Sequence, residues 1–154
     1  MLKSSGFPVM ILDGVNQANT NVGQDRPDAV FGASSSVPDP NTAQWFNIKS
    51  VKLQTFGTFG NLGRNTIISP GIFAWDFSTL KNFNFSERTY LQFRFECFNC
   101  ANHPNFGDPG SSLALNQKDA NGFAIPGTGT FGVITNTRSG IDMRKLQFSL
   151  KLVF

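Results

Sequence analysis

Three stretches of the chain alternate apolar and polar residues with a period of two. In residues 89–98, Leu91, Phe93, Phe95 and Cys97 share one parity, and Gln92, Arg94 and Glu96 share the other. In residues 144–154, Leu146, Phe148, Leu150, Leu152 and Phe154 oppose Lys145, Gln147, Ser149 and Lys151. In residues 72–83, Phe73, Trp75 and Phe77 oppose Ala74, Asp76 and Ser78; the parity slips near Thr79 and Leu80, as a bulge would allow. Successive side chains of a strand point to opposite faces, so the pattern predicts three strands, each apolar on one face and polar on the other. Strands in small sandwiches usually run about 5–6 residues. These run about twice that, which suits the roughly 9–11 residues of a tilted strand crossing a bilayer. There the apolar face meets lipid and the polar face lines the lumen. Asp76, Arg94 and Glu96 then become candidate lumen-facing residues, and Asp76 and Arg94, on neighbouring strands, are placed to form an ion pair. A soluble antiparallel sheet with one wet face carries the same pattern.

The connections are asymmetric. Residues 84–88 form a short turn between the first two strands, whereas residues 99–143 form a long loop before the third. Residues 14–71 form another long, loop-rich stretch, punctuated by Pro38, Pro40, Gly57, Gly60 and Gly63. Short turns at one end and long loops at the other is the asymmetry of outer-membrane barrels. It places 84–88 in the periplasm and both 14–71 and 99–143 outside the cell. The loops, lacking any period, are expected to pack poorly.

Composition narrows the alternatives. The 154 residues include 17 Phe, and charged residues make up only 15 %, against roughly 25 % in an ordinary soluble domain. No apolar run approaches the roughly 20 residues of a membrane-spanning helix, so the Phe surplus is spread through the strands and loop borders. A net charge of +3 and the absence of a basic cluster argue against a nucleic-acid partner. Cys97-x-x-Cys100-x-x-His103 has mixed metal-ligand types, but a structural zinc site needs four ligands and strand parity points Cys97 away from the other two. A redox Cys-x-x-Cys would open a helix, whereas this one ends a strand; a disulfide in an oxidising exterior stays open. Gly57-x-x-Gly60-x-x-Gly63 lacks the Lys-Ser/Thr ending of a phosphate loop, and Asp119-x-Asn121-Gly122 lacks the further acids of a calcium loop and reads as a turn. No residues form a catalytic, metal or cofactor constellation, so the chain is not expected to be an enzyme or to carry a cofactor.

A family resemblance adds to this reading. Gly57-Thr-Phe-Gly-Asn-Leu-Gly-Arg-Asn65, Pro70-Gly71, Trp75-Asp76-Phe77-Ser78 and Lys81-Asn82-Phe83 follow in one order. After them come Leu91-Gln92-Phe93-Arg94-Phe95-Glu96, then the loop motif Phe98-Asn99-x-x-Asn102-His103-Pro104-Asn105-Phe106-Gly107, then Phe131-Gly132-x-Ile134, Gln147-Phe148 and Phe154. Asp25-Arg26-Pro27 and Trp45-Phe46-Asn47 extend the likeness upstream. The run resembles the C-terminal end of TonB-dependent outer-membrane receptors, of the acidobacterial Oar-like subgroup that often carries a carboxypeptidase-regulatory-like domain, and covers nearly the whole chain.

The resemblance implies an all-β fold: a C-terminal fragment, three or four strands with long extracellular loops, of a transmembrane antiparallel up-and-down barrel of the plugged class near 22 strands. Residues 7–13 would end an earlier strand. It implies energy-coupled uptake across the bacterial outer membrane by a whole protein of which residues 1–154 are a part not competent alone. The implied partners are lipid, the rest of the barrel and its plug, and TonB through a missing N-terminal region. The outer-membrane assembly machinery, a further implied partner, reads the C-terminal strand; Gln147, Leu152 and Phe154 fit that signal, with Ser149 where Gly is usual. The motif residues Asn99, Asn102, His103 and Phe106 would organise the start of a loop. A soluble or surface β-rich binding or adhesion module is the competing reading.

Overall fold

The period-two segments form the longest strands of the computed structural model, which describes residues 1–21, 25–141 and 143–154. Nine strands occur among the described residues: β1 (Leu2–Lys3), β2 (Pro8–Val9), β3 (Asp28–Ala29), β4 (Val51–Lys52), β5 (Ile67–Ile68), β6 (Phe73–Ala74), β7 (Phe77–Asn84), β8 (Tyr90–Phe98) and β9 (Lys145–Val153). Single 3-10 turns cover Ile48–Ser50 and Leu113–Leu115, and no α-helix is present among the described residues. The chain divides into two compact units, the first made of residues 1–5, 71–105 and 137–154 and the second of residues 6–70 and 106–136.

The first unit is built on an antiparallel sheet in the order β7-β8-β9. Leu91, Phe93, Phe95 and Cys97 stand opposite Leu152, Leu150, Phe148 and Leu146, so one face of the β8–β9 ladder is wholly apolar. The β7–β8 ladder is continuous from Phe77↔Cys97 to Asn84↔Tyr90, so no bulge interrupts the strand. The slip of parity expected at Thr79 and Leu80 arises because β7 is chemically less two-sided than its neighbours. Thr79 and Lys81 lie on the apolar face with Phe77 and Phe83, and Leu80 lies on the polar face opposite Arg94. The expected strand 72–83 is instead two strands, because Phe73–Ala74 pair with Leu2–Lys3 and Trp75 and Asp76 join neither ladder. A turn over residues 85–89 closes the β7–β8 hairpin through bonds from the Phe85 and Ser86 N–H groups to the Thr89 carbonyl (2.9 and 3.1 Å).

The second unit overturns the expectation of poorly packed loops. Its core is a single cluster that includes Ile11, Phe46, Val51, Ile67, Leu113 and Phe131. Phe46 and Phe131 meet edge to face at 5.2 Å and 85°, an arrangement that contributes about 0.5–1.5 kcal/mol beyond the area it buries. The strands here are two residues long, pairing β2 with β5 and β3 with β4. Such short elements leave no period in the sequence, which is why the core was invisible there.

Side chains replace much of the missing ladder. Asn116 accepts from the Phe131 N–H (2.9 Å) and donates to the Ile125 carbonyl (2.8 Å). The buried Asp13 carboxylate accepts from the N–H groups of Val15 and Asp25 and from Gln54 Nε2 (3.1, 3.0 and 2.8 Å). These bonds satisfy backbone groups that would otherwise be buried unpaired at a cost of about 1–3 kcal/mol each.

Candidate functional site

Two of the ordered motifs pack directly on one another in the second unit. Arg26 donates to the Leu62 carbonyl (2.8 Å) and the Leu62 N–H donates to the Pro27 carbonyl (3.1 Å). Gly60 lies so close that a Cβ there would run into the Arg26 carbonyl and Pro27 backbone; only glycine permits that approach. Asn61 and Asp28 complete the seam, with Asn61 accepting from the Ala29 N–H (2.8 Å) and donating its own N–H to Asp28 (3.1 Å). Trp45-Phe46-Asn47 is equally internal. Trp45 donates through its indole to the Ile68 carbonyl (2.7 Å), and Asn47 caps the turn at Ile48–Ser50 by accepting from Lys49.

In the first unit the loop motif forms a clamp at the end of β8. Asn99 and Asn102 both take left-handed backbone angles (φ 46 and 50°), a conformation that Asn tolerates better than most residues. The Asn102 N–H donates to the Asn99 carbonyl (2.7 Å), the Asn99 amide donates to the His103 carbonyl (3.1 Å), and the Arg144 N–H donates to the Asn102 side chain (3.2 Å). His103 lies edge to face on Phe73 at 5.6 Å. Phe106, the last of the four motif residues, is half-buried and belongs to the second unit.

Asn105, in the same motif, makes three hydrogen bonds through its side chain. It is buried, accepts from the Phe73 N–H (2.7 Å) and donates to the Phe73 carbonyl (3.0 Å) and the His103 carbonyl (3.2 Å). Its amide thus replaces a strand neighbour for Phe73. The signal for it was present in the Asn-rich spacing, since Asn is the side chain that can both donate and accept as a peptide does.

Two expectations fail here. Cys97 does not point away from Cys100; the two are bonded as a disulfide with Cα atoms 5.5 Å apart. The left-handed turn at Asn99 folds the chain back, so strand parity cannot be extended past Phe98. Nor does Asp76 pair with Arg94. Asp76 lies outside the ladder and accepts from the Asn99 N–H (2.8 Å), whereas Arg94 stands opposite Leu80 and reaches Glu96 on its own strand (3.7 Å). That pair is partly exposed, and such pairs contribute about 0–1 kcal/mol. Asp119 behaves as read, its carboxylate closing a turn by accepting from the N–H groups of Asn121 and Phe123 (both 2.9 Å). Among the described residues no group of three or more His, Cys, Asp or Glu is placed to hold a metal ion.

The two faces of the sheet differ in kind. Arg94 and Glu96 lie on the polar face with Gln147 and Ser149, and Gln92 donates across to Asn82 (3.1 Å). On the other face the Phe95 and Phe148 rings lie 5.2 Å apart, tilted by 40°, while Phe148 and Leu150 keep 65 and 68 % of their surface exposed. Leu146 and Leu152 on the same face are likewise exposed. Gln147 and Leu152 occupy opposite faces of β9, and Phe154 lies just beyond the strand, 94 % exposed.

Long antiparallel strands with an exposed apolar face, a polar opposite face and a tight hairpin turn are the features of an outer-membrane β-barrel protein. A family model described as outer membrane beta barrel domain matches residues 2–147. The chain belongs to that family, and its place is the bacterial outer membrane. No curated protein and no solved structure matches the chain.

Proposed function

We propose that the chain is the C-terminal part of a TonB-dependent outer-membrane transporter, one that imports a substrate with energy supplied through TonB. The observation that carries the reading is the ordered series of motifs from Asp25-Arg26-Pro27 to Phe154, resembling that family, on a sheet with an open apolar face. The outer strands β7 and β9 each leave one edge without a partner among the described strands. Unpaired backbone groups are too costly in lipid to persist, so these edges call for further barrel strands. The proposed partners are the remaining strands and plug, lipid against the Phe95 and Phe148 face, TonB through the plug-bearing region, and the assembly machinery at the end of β9. On this reading the chain catalyses no reaction, the β7–β8 turn faces the periplasm, and Arg94 and Glu96 look into the lumen. The genomic reading frame provides the test. It is expected to continue upstream of Met1 into further ten-residue alternating strands, a plug and a signal peptide. A stop codon directly upstream, with a ribosome-binding sequence serving Met1, contradicts the proposal.

A further inference from the structure

The turn that follows β8 fastens its two neighbouring strands where the ladders give out. Trp75 and Asp76 precede β7 and lie outside its ladder. The Cys100 N–H donates to the Trp75 carbonyl (2.7 Å), and the Asn99 N–H donates to Asp76 Oδ1 (2.8 Å). Arg144 precedes β9, and its N–H donates to Asn102 Oδ1 (3.2 Å). The turn holds Asn99 and Asn102 at φ 46 and 50°. Left-handed angles in residues other than Gly are sparsely populated and persist only where the surroundings over-determine them. The Cys97–Cys100 disulfide spans the first of these residues and uses both cysteines of the chain. Its two ends are unequal. Cys97 is buried and held by the ladders opposite Phe77 and Leu146, whereas Cys100 is half-buried and belongs to no ladder.

We propose that this disulfide is a redox-operated clasp, closed when oxidised and opened by a small-molecule thiol that enters at Cys100. An outer-membrane protein lies beyond the reducing cytosol, so the closed form is the resting one. A thiolate attacks Cys100 Sγ, the more accessible sulfur. The bond to Cys97 breaks, and Cys97 leaves as a thiolate and takes up a proton. A second thiolate then attacks the mixed disulfide at the small molecule's own sulfur, and Cys100 is released and protonated in turn. Two small thiols are oxidised to one disulfide, the protein disulfide is reduced to two thiols, and the two protons pass from the former to the latter. Opening removes the covalent constraint across Asn99, so its left-handed angle relaxes and the bonds to Trp75, Asp76 and Arg144 loosen with it. The β7–β8–β9 ladders do not pass through the cross-link, so the sheet itself stays. The outer-membrane placement is the one premise taken from above, and TonB coupling plays no part.

The test uses the whole gene product extracted from the outer membrane into detergent, with reduced glutathione as the thiol. Amide hydrogen exchange is followed by mass spectrometry on peptides covering 99–105 and, separately, on peptides covering β8 and β9. Reduction is expected to speed exchange in 99–105 by roughly tenfold or more while the ladders keep their protection. Oxidised glutathione is expected to restore the slow exchange, so the wild-type protein is its own folding control. The variant Cys97→Ser/Cys100→Ser is expected to exchange like the reduced protein and to ignore glutathione. With single variants, the Cys100 thiol of Cys97→Ser is expected to form a mixed disulfide with oxidised glutathione roughly tenfold faster than the Cys97 thiol of Cys100→Ser. Unchanged exchange in 99–105 after reduction overturns the inference. So does an equal loss of protection in β8 and β9, which would make the bond a staple of the whole sheet. Equal reactivity of the two single variants, or faster reaction at Cys97, refutes entry through Cys100.

Discussion

Asparagine carries much of the local architecture. Asn105 holds both polar groups of the Phe73 backbone, and Asn116 does the same work between Phe131 and Ile125. Hydrophobic side chains could not replace them, because the segments they join are too short to form ladders. Replacing Asn105 by Ala removes both partners of Phe73 and leaves a half-buried N–H and carbonyl unmet. The expected loss is about 1–3 kcal/mol, read as a lower denaturant midpoint for unfolding of the detergent-folded protein. Asn105→Asp keeps the acceptor but sets a buried carboxylate oxygen against the Phe73 and His103 carbonyls, so its midpoint is expected to fall at least as far as that of Asn105→Ala. Equal midpoints for wild type and Asn105→Ala would show that the Phe73 contacts do not matter. His103, by contrast, uses its ring against Phe73 and its carbonyl as an acceptor, a packing role for the only His in the chain.

Strand by strand, the sequence was legible in proportion to chemical contrast between faces. In β8 and β9 nearly every alternate residue is Leu or Phe, and their pairing followed the period. β7 was less legible because Lys81 and Thr79 share a face with Phe77 and Phe83. Lys81 is close to the hairpin turn, where a long aliphatic stem can carry its ammonium to the membrane boundary. The direction of Cys97 relative to Cys100 and the Asp76 contact differ from expectation for one reason, that strand parity does not extend past the points where the strands end. The short strands β2 to β5 gave no period at all, so a packed core involving Ile11, Phe46 and Phe131 passed for loop. At the end of β9, the proposed recognition by the assembly machinery makes a definite prediction. Deleting Phe154, which is 94 % exposed and packs little against the chain, is expected to reduce the folded protein in the outer membrane severalfold while leaving its synthesis unchanged. Undiminished amounts of heat-modifiable protein would exclude a signal at that residue.

At the level of the whole molecule, the surplus of Phe divides between two uses. Phe46 and Phe131 fill the core of the second unit, while Phe77, Phe83 and Phe148 remain exposed on one face of the three-stranded sheet. An exposed continuous apolar face would drive aggregation in water; in an outer-membrane barrel protein it is the surface that lipid covers. The proposed substrate route and TonB coupling both require the sheet to stand in the membrane with that face outward. The most direct measurement is site-directed spin labelling along β9 of the protein folded in lipid bilayers, with oxygen and a water-soluble nickel complex as relaxers. Labels at positions 146, 148, 150 and 152 are expected to be accessible to oxygen and shielded from nickel, and labels at 147, 149 and 151 to lose that oxygen access. Accessibility without a period of two, or nickel reaching positions 148 and 150 as readily as 149, would contradict a lipid-facing strand.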